Sequence, residues 1–341
     1  MVSDSFAFTD LPPARVQRVD RGLVTVLTED GPLRVSLGAD LLDQMAKDST
    51  AGPCTGDWCL LRAWPDGPVT LESVLPRGPS IRRAEVGGSS REQVLAANID
   101  VAAVVVGLIP EPVIGKLERM LALAWSSGAQ PAVVLTKADL VPDAEQIAED
   151  VRSAADGVPV IVVSSVTGQG IAEVRALAGA DGTIALLGSS GTGKSSLVNA
   201  LVGTEVLGTQ RIRADGRGRH TSVRRELVLL PGGGAVIDTP GLRGVGLIDA
   251  EEGLASTFGD VEALVSQCRF RDCAHTSEPG CAVRAAVDDG TLSVRRLESW
   301  HKLREEMRVM AARQDERSRA ELLKVWRRDS KAHRKPRGGA S

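Results

Sequence analysis

Eight residues, Gly188-Ser189-Ser190-Gly191-Thr192-Gly193-Lys194-Ser195, constrain this chain more than any other stretch. They match G-x-x-x-x-G-K-S. An apolar run, Thr183–Leu187, precedes them, and a helical segment at 195–201 follows. A strand, a glycine-rich turn and a helix in that order make a cradle for phosphate. The glycines let backbone N–H groups curl around the anion, and the helix N-terminus adds partial positive charge. Lys194 can reach the outer phosphates, the Ser195 hydroxyl can ligate Mg²⁺, and Ser196 carries the loop into the helix.

The surroundings suit such a loop. From about 100 to 244, apolar runs alternate with helical segments. The runs are Val101–Gly107, 132–136, 158–164, Thr183–Leu187, 226–230 and Ala235–Asp238, with helices at 116–126 and 195–201. Continuous apolar strands of this kind fit a parallel sheet covered on both faces. Residues 1–80 read differently, as all-β. Leu33, Val35 and Leu37 alternate, as do Val69, Leu71 and Ser73, with turn signals at 29–32 and 65–68. A small barrel is expected there, with an oligonucleotide-binding barrel as one candidate. The Gly-, Pro-, Ser- and Arg-rich stretch 76–90 reads as a linker. From 251 the pattern is mostly helical, and Leu297, Trp300, Leu303, Met307 and Met310 fall on one helix face. The expected organisation is a barrel over 1–80, an α/β core over 81–250 and a helical region with a basic tail over 251–341.

Composition excludes several classes. Hydrophobic residues are 43% and charged residues 25%, as in soluble globular proteins. The strongest apolar run, 101–109, is about half a membrane span. Asp4 and Asp10 precede the first Arg, without a signal-peptide pattern. A cytoplasmic protein with no membrane partner is expected, and nothing demands an obligate dimer, so a monomer is expected too. The net charge of −3 hides a split: residues 301–341 carry 13 Lys and Arg against 6 Asp and Glu. A basic tail on an acidic body can contact nucleic acid. Aromatics are only 3%, with no Tyr. RNA binding would therefore lean on phosphates and shape rather than on base stacking.

Three further motifs end apolar strands. In Asp238-Thr239-Pro240-Gly241 the carboxylate can hold Mg²⁺ through water, and the Gly241 amide can sense a γ-phosphate. In Thr136-Lys137-Ala138-Asp139 a buried carboxylate can accept two hydrogen bonds from guanine N1 and N2, which adenine cannot offer. Read alone, that segment could equally be a helix-capping turn. Ser164 and Ser165 can supply backbone contacts to the base oxygen. Together these point to a guanine-nucleotide site. The base motifs precede the phosphate loop, whereas GTPases usually place them after it. The chain therefore reads as a circular permutation, and the segment after Gly241 leads directly into a C-terminal Cys/His cluster.

That cluster is Cys268-x4-Cys273-x-His275-x5-Cys281. Three thiolates and one imidazole suit tetrahedral Zn²⁺ with no open position, a structural site. Cys54 and Cys59 have no His nearby and are expected to pack as small apolar residues in the barrel. His301 is expected on the polar side of the Trp300 helix, and His333 in the basic tail.

With these motifs, the chain resembles the circularly permuted, small-ribosomal-subunit-dependent GTPases of the RsgA (YjeQ) type. The resemblance spans nearly the whole chain and includes Ala97-Asn98-Ile99-Asp100 and Gly216-Arg217-Gly218-Arg219-His220-Thr221. Thr136 stands where the family commonly has Asn, and Ser165 where Ala is usual. The resemblance implies Mg²⁺-dependent hydrolysis of GTP to GDP and phosphate, stimulated by the small subunit, in its late maturation. It implies rRNA as a partner and Thr221 as the Mg²⁺-ligating switch residue. Leu242 occupies the place where many GTPases carry a water-orienting Gln, and cannot do that work. His220 is the local catalytic candidate, by resemblance as well as position; it could instead merely shape the Arg-rich loop 211–225. That loop could contact RNA phosphates or be an ordinary solvated loop. Leu242 also keeps open a nucleotide-switched RNA-binding protein with incidental hydrolysis. Asp139 argues against an ATP-using enzyme.

Overall fold

The computed structural model describes residues 9–65, 67–84, 92–207, 225–239 and 250–312. The N-terminal strands β1 (Thr9–Asp20), β2 (Leu23–Thr28), β3 (Gly31–Leu37), β4 (Trp58–Ala63) and β5 (Val69–Val74) close into a barrel in the order β1-β2-β3-β5-β4. Helix α1 (Ala39–Lys47) crosses between β3 and β4, which lets β5 pair parallel with β3. This arrangement is an oligonucleotide-binding-type barrel. Its interior is small and branched: Val16, Val24, Val26, Val35, Leu61 and Leu71, with Cys59 among them. The expectation for the two cysteines holds for Cys59, which lies in the barrel interior, where burial pushes its thiol up to about 12. Cys54 is also buried but packs outside the barrel core, against Val94 and Ala97 of the next ribbon, because the chain turns away from the barrel there.

The expected linker is corrected. Residues 76–90 include strand β6 (Ser80–Ala84), which pairs antiparallel with β7 (Glu92–Ala97). Ile81 and Leu95 are fully buried in the main core, and that burial holds the ribbon despite its loop-like composition.

The core then runs β8 (Val101–Gly107), α2 (Ile114–Ser126), β9 (Gln130–Thr136), α3 (Ala144–Ala154), β10 (Val160–Val162), α4 (Ile171–Ala176), β11 (Thr183–Leu187), α5 (Lys194–Val202), β12 (Glu226–Leu229) and β13 (Ala235–Asp238). The sheet order is β10-β9-β8-β11-β13-β12, parallel except for β12. Alternate residues of the wholly apolar β8 serve opposite faces. Ala102 and Val104 join the cluster containing Leu117 and Leu121 of α2, while Ala103 and Val105 join Leu197 and Leu201 of α5. Two-sided burial is why these strands lack polar alternation.

The barrel is bonded to the starts of the core strands. The Arg15 guanidinium donates to Thr183 Oγ1 at 2.7 Å and to the Asn98 carbonyl at 3.0 Å. Asn98 in turn donates to the Gly56 carbonyl at 3.1 Å, and Asp100 accepts from Thr183 N at 2.7 Å. The segment Ala97–Asp100 is thus a structural joint.

Past the core lie α6 (Glu251–Thr257), α7 (Gly259–Val265), α8 (Ala282–Asp288) and a long helix, α9, from 294 through 312, its last described residue. Helix α6 approaches α2 closely: a Cβ on Gly253 would stand 2.2 Å from the Ala122 carbonyl, so only glycine fits. The expected stripe on α9 is present, with Leu297, Trp300 and Leu303 buried and Met307 and Met310 half-buried. His301 departs from expectation. It is half-buried, with its ring 5.0 Å from that of Trp300.

What anchors α9 is a charge network that patterning could not reveal. Glu118 of α2 is completely buried and accepts from Arg296 at 2.8 Å, from Arg295 at 3.1 Å and from the Ser299 hydroxyl. Arg296 also donates to Asp260 and to the Thr257 carbonyl, and its guanidinium lies over Phe258. Removing one partner strands the other charge in a low dielectric. Arg296→Met is therefore expected to destabilise the protein by about 3 kcal/mol, with Arg295 and Ser299 limiting the loss. Adding Glu118→Met should recover most of it. Denaturant melts of both variants check this, and a loss below about 1 kcal/mol in the single variant would refute it.

Candidate functional site

The loop 188–193 leaves the C-terminal end of β11, and α5 begins at Lys194. Gly193 has φ +94°, and a Cβ there would lie 3.2 Å from Thr136 Oγ1. Lys194 is 7% exposed, and its Nζ donates to the carbonyls of Gly188 (2.8 Å) and Ser189 (2.9 Å). The ammonium is thus held over the loop that would carry phosphate. Desolvation lowers its pKa, opposed by the charge of Asp238.

Asp238 ends β13, the strand beside β11. It is 2% exposed, and burial raises its pKa against the pull of Lys194 and Ser195. Its Oδ2 lies 3.4 Å from Ser195 Oγ, and its Oδ1 has no hydrogen-bond partner among the described residues. A buried carboxylate oxygen without a donor is costly unless a cation or ordered water meets it. Hard oxygen donors beside a phosphate cradle fit Mg²⁺. Thr239 is fully buried and donates its hydroxyl to the Leu186 carbonyl, tying β13 to β11.

The base motif sits two strands from β11, at the end of β9. Lys137 adopts a left-handed conformation (φ +67°), and its Nζ donates to the Ile109 carbonyl at 3.2 Å. Ala138 N donates to the Val163 carbonyl at 3.1 Å. The expected burial of the Asp139 carboxylate is corrected: it lies exposed at the strand end, facing out of the sheet, and its Oδ1 accepts from Ser164 Oγ at 2.7 Å. Ser164 Oγ in turn accepts from the amides of Val166 (3.2 Å) and Thr167 (3.1 Å). Ser164 thus contributes its side chain as an orienter of Asp139, where the motif suggested backbone contacts. Ser165 is half-buried beside it. Thr136 Oγ1 donates to the Thr192 carbonyl, so the base loop and the phosphate loop touch.

The structure brings these segments to one edge of the sheet, at the C-terminal strand ends where open α/β sheets bind ligands. His220, Thr221, Gly241, Leu242 and all of the Arg-rich loop except Arg225 lie outside the described residues, as does the tail beyond 312. A cavity of about 560 Å³ between α3 and the C-terminal region, lined by Asp150, Thr291 and Arg295 among others, contains none of the nucleotide motifs.

The metal-ligand cluster is assembled as expected. The donor atoms of Cys268, Cys273, His275 and Cys281 all lie within 4.8 Å of one another. Cys268 Sγ is 3.5 Å from His275 Nδ1 and 3.9 Å from Cys281 Sγ, and Cys281 Sγ is 3.6 Å from Nδ1. Zinc–ligand lengths in a tetrahedron require edges of about 3.8 Å between sulfurs and about 3.6 Å from sulfur to nitrogen. The group fits zinc. Desolvation and then the neighbouring Cys281 and Cys268 push the Cys273 thiol up to about 11, a crowding of negative charge that a divalent cation relieves. Desolvation, with Arg304 and His301, holds His275 below its usual pKa, in the neutral form a ligand needs. Sequence reading missed Glu278. Its carboxylate accepts from the amides of Ala274, Thr276 and Ser277 at 2.9–3.0 Å and stiffens the ligand loop.

Strand order and chain order now conflict in an informative way. The base-loop strands β8 to β10 come first in sequence, yet lie on the far side of β11, where an unpermuted nucleotide-binding domain places its last strands. The fold and the site define a circularly permuted P-loop GTPase. The RsgA GTPase family model matches residues 74–248. The small ribosomal subunit biogenesis GTPase RsgA of Streptomyces avermitilis is 51% identical over 92% of this chain and 84% of its own length. Its Streptomyces coelicolor counterpart is 50% identical over 95% and 88%. This chain belongs to the RsgA GTPase family. The crystal structure of YjeQ from Thermotoga maritima superposes with a TM-score of 0.63 at 27% identity, covering 86% of this chain and 98% of that one. YloQ, described as a circularly permuted GTPase, shares the fold with a TM-score of 0.59.

Proposed function

We propose that this chain hydrolyses GTP to GDP and phosphate with Mg²⁺ and acts in late maturation of the small ribosomal subunit. The observation that carries the chemistry is the convergence of Lys194, Ser195 and the unsatisfied Asp238 Oδ1 beside a base loop ending in Asp139. The subunit assignment rests on relatives that bear that name.

In this reading residues 188–196 wrap the phosphates through backbone amides, and Lys194 neutralises their outer charge. Ser195 and Thr221 would ligate Mg²⁺, with Asp238 holding it through water, and the bound ion would supply positive charge against the phosphates. Gly241 reports the γ-phosphate. Asp139, braced by Ser164, reads guanine, with Thr136, Lys137, Ala138 and Ser165 framing it. His220 is assigned to the attacking water, because Leu242 cannot orient it. One Zn²⁺ on Cys268, Cys273, His275 and Cys281 is structural. The barrel, the zinc region and the basic tail grip rRNA, and the protein works as a cytoplasmic monomer.

Turnover of GTP and of ATP, with and without purified small subunits, tests this. Strong stimulation of GTP turnover alone is expected. Slow GTP turnover that subunits leave unchanged would favour a nucleotide-switched RNA binder. Asp139→Asn should move preference from guanine to xanthine nucleotides by at least about 100-fold, since the amide then needs an acceptor at position 2 of the base in place of the N2 amino donor. Competition binding with XTP reads this out, and a retained guanine preference would refute the base assignment.

A further inference from the structure

The residues between Cys268 and Cys273, Arg269-Phe270-Arg271-Asp272, are all exposed. Both cysteines turn inward to the ligand cluster, which leaves the short span between them on the outside. Backbone bonds fix its course. Arg269 N donates to the Gly280 carbonyl at 3.1 Å, and Cys273 N donates to the Phe270 carbonyl at 3.4 Å. Phe270 is thereby held in water, 42% exposed, although Phe258 and Trp300 of the same region are fully buried.

The surroundings decide what such a ring can hold. Among the described residues from 250 on, Val294 is the one other exposed large hydrophobic. The ring therefore stands among charges rather than in an apolar patch, and an apolar protein surface would find little to cover. The Arg269 guanidinium lies 5.4 Å from the ring centroid, and Arg271 follows directly, against one carboxylate, Asp272. Among the described residues neither arginine makes an ion pair. A fixed aromatic face beside two available cations suits an unstacked nucleobase: the ring takes the base, and the arginines take the adjoining phosphates. Because the loop is already ordered, little conformational freedom is lost on binding.

We propose that Phe270 is a stacking platform for one unstacked base of ribosomal RNA, with Arg269 and Arg271 on the neighbouring phosphates. This deepens the small-subunit reading above and rests on it. It places base stacking at one point of a contact otherwise made through phosphates and shape.

The test titrates full-length protein, bound to a non-hydrolysable GTP analogue, with purified small ribosomal subunits. Phe270→Ala is expected to weaken binding about tenfold, and Phe270→Trp to keep it within about twofold. Phe270→Leu should bind as weakly as the alanine variant, since an aliphatic chain offers no π-face. These three should share the wild-type salt dependence, whereas Arg271→Ala should lower the salt slope by about one. The ring is exposed, so thermal melts and GTP affinity should match wild type in all three. Azidophenylalanine in place of Phe270 should crosslink to RNA on irradiation of the complex. A Phe270→Ala protein that binds subunits within about twofold of wild type overturns the proposal. So does a leucine variant as tight as the tryptophan one, or a crosslink to ribosomal protein alone. Failure of the underlying reading looks different: the wild-type protein would then not bind subunits, which overturns both before any variant is compared.

Discussion

Lys194→Ala is expected to lower subunit-stimulated GTP turnover by about 10³-fold, a barrier increase of roughly 4 kcal/mol. Phosphoryl transfer asks the protein mainly for positioning and charge stabilisation. Lys194 supplies both in advance. Its Nζ is already held on the Gly188 and Ser189 carbonyls, so little reorganisation accompanies the reaction. Its site is largely dry, which strengthens its attraction for phosphate oxygens. Alanine also leaves Asp238 without the cation that opposes its desolvation, so Mg²⁺ would be held in a changed field. Nucleotide affinity should fall as well, by less than turnover, because the amides of 188–193 remain. Single-turnover hydrolysis at saturating GTP separates the two effects. Retention of a tenth or more of wild-type turnover would show that Lys194 does not stabilise the transferring phosphate.

Metal removal is the second large effect. Purified protein is expected to contain about one zinc per chain. Stripping it, or Cys281→Ala, should unfold the region from 268 to 281 and loosen α9. Structural zinc is worth on the order of 10 kcal/mol of folding free energy in small domains, far more than the three amide bonds to Glu278 supply here. Cys281 is also the cap of α8, accepting from Arg284 N at 3.4 Å. The His275 ring packs edge-on against Trp300 at 5.5 Å, so loss of the ligand loop reaches the core face of α9. Circular dichroism, limited proteolysis and metal analysis read this out. A chain that carries no zinc, and whose melt is unchanged by chelator, would sink the assignment. Acid should act in the same direction. Glu278 is held down to about 2 by the amides it accepts, so its contribution is complete above the usual glutamate range and fades as pH falls towards 2. Protonation of the thiolates releases metal over the same descent.

Local chemistry was readable and long-range pairing was not. The strand, loop and helix around 188–195 are consecutive, and their residue types leave few alternatives. The four clustered Cys and His residues lie within 14 consecutive positions, close enough for one loop to gather them. The ribbon strand β6 escaped because its neighbours are rich in Gly, Pro and Ser. What orders it is contact between Ile81 and the rest of the core. The role of Ser164 escaped because its partner, Asp139, is 25 residues away. The Glu118–Arg296 pair, 178 positions apart, has no sequence signal at all: each residue alone looks like an ordinary charge on a helix surface.

By itself, then, the sequence determined the phosphate-loop segment, the Thr136–Asp139 motif, the permuted order and the four clustered Cys and His residues, since each depends on residue type and short spacing. Tertiary structure alone decided that Thr136 grips the phosphate loop, that Arg15 joins barrel to core, and that a buried Glu118 anchors α9. Those contacts exist only once distant segments meet, where burial makes a single hydrogen bond or ion pair decisive.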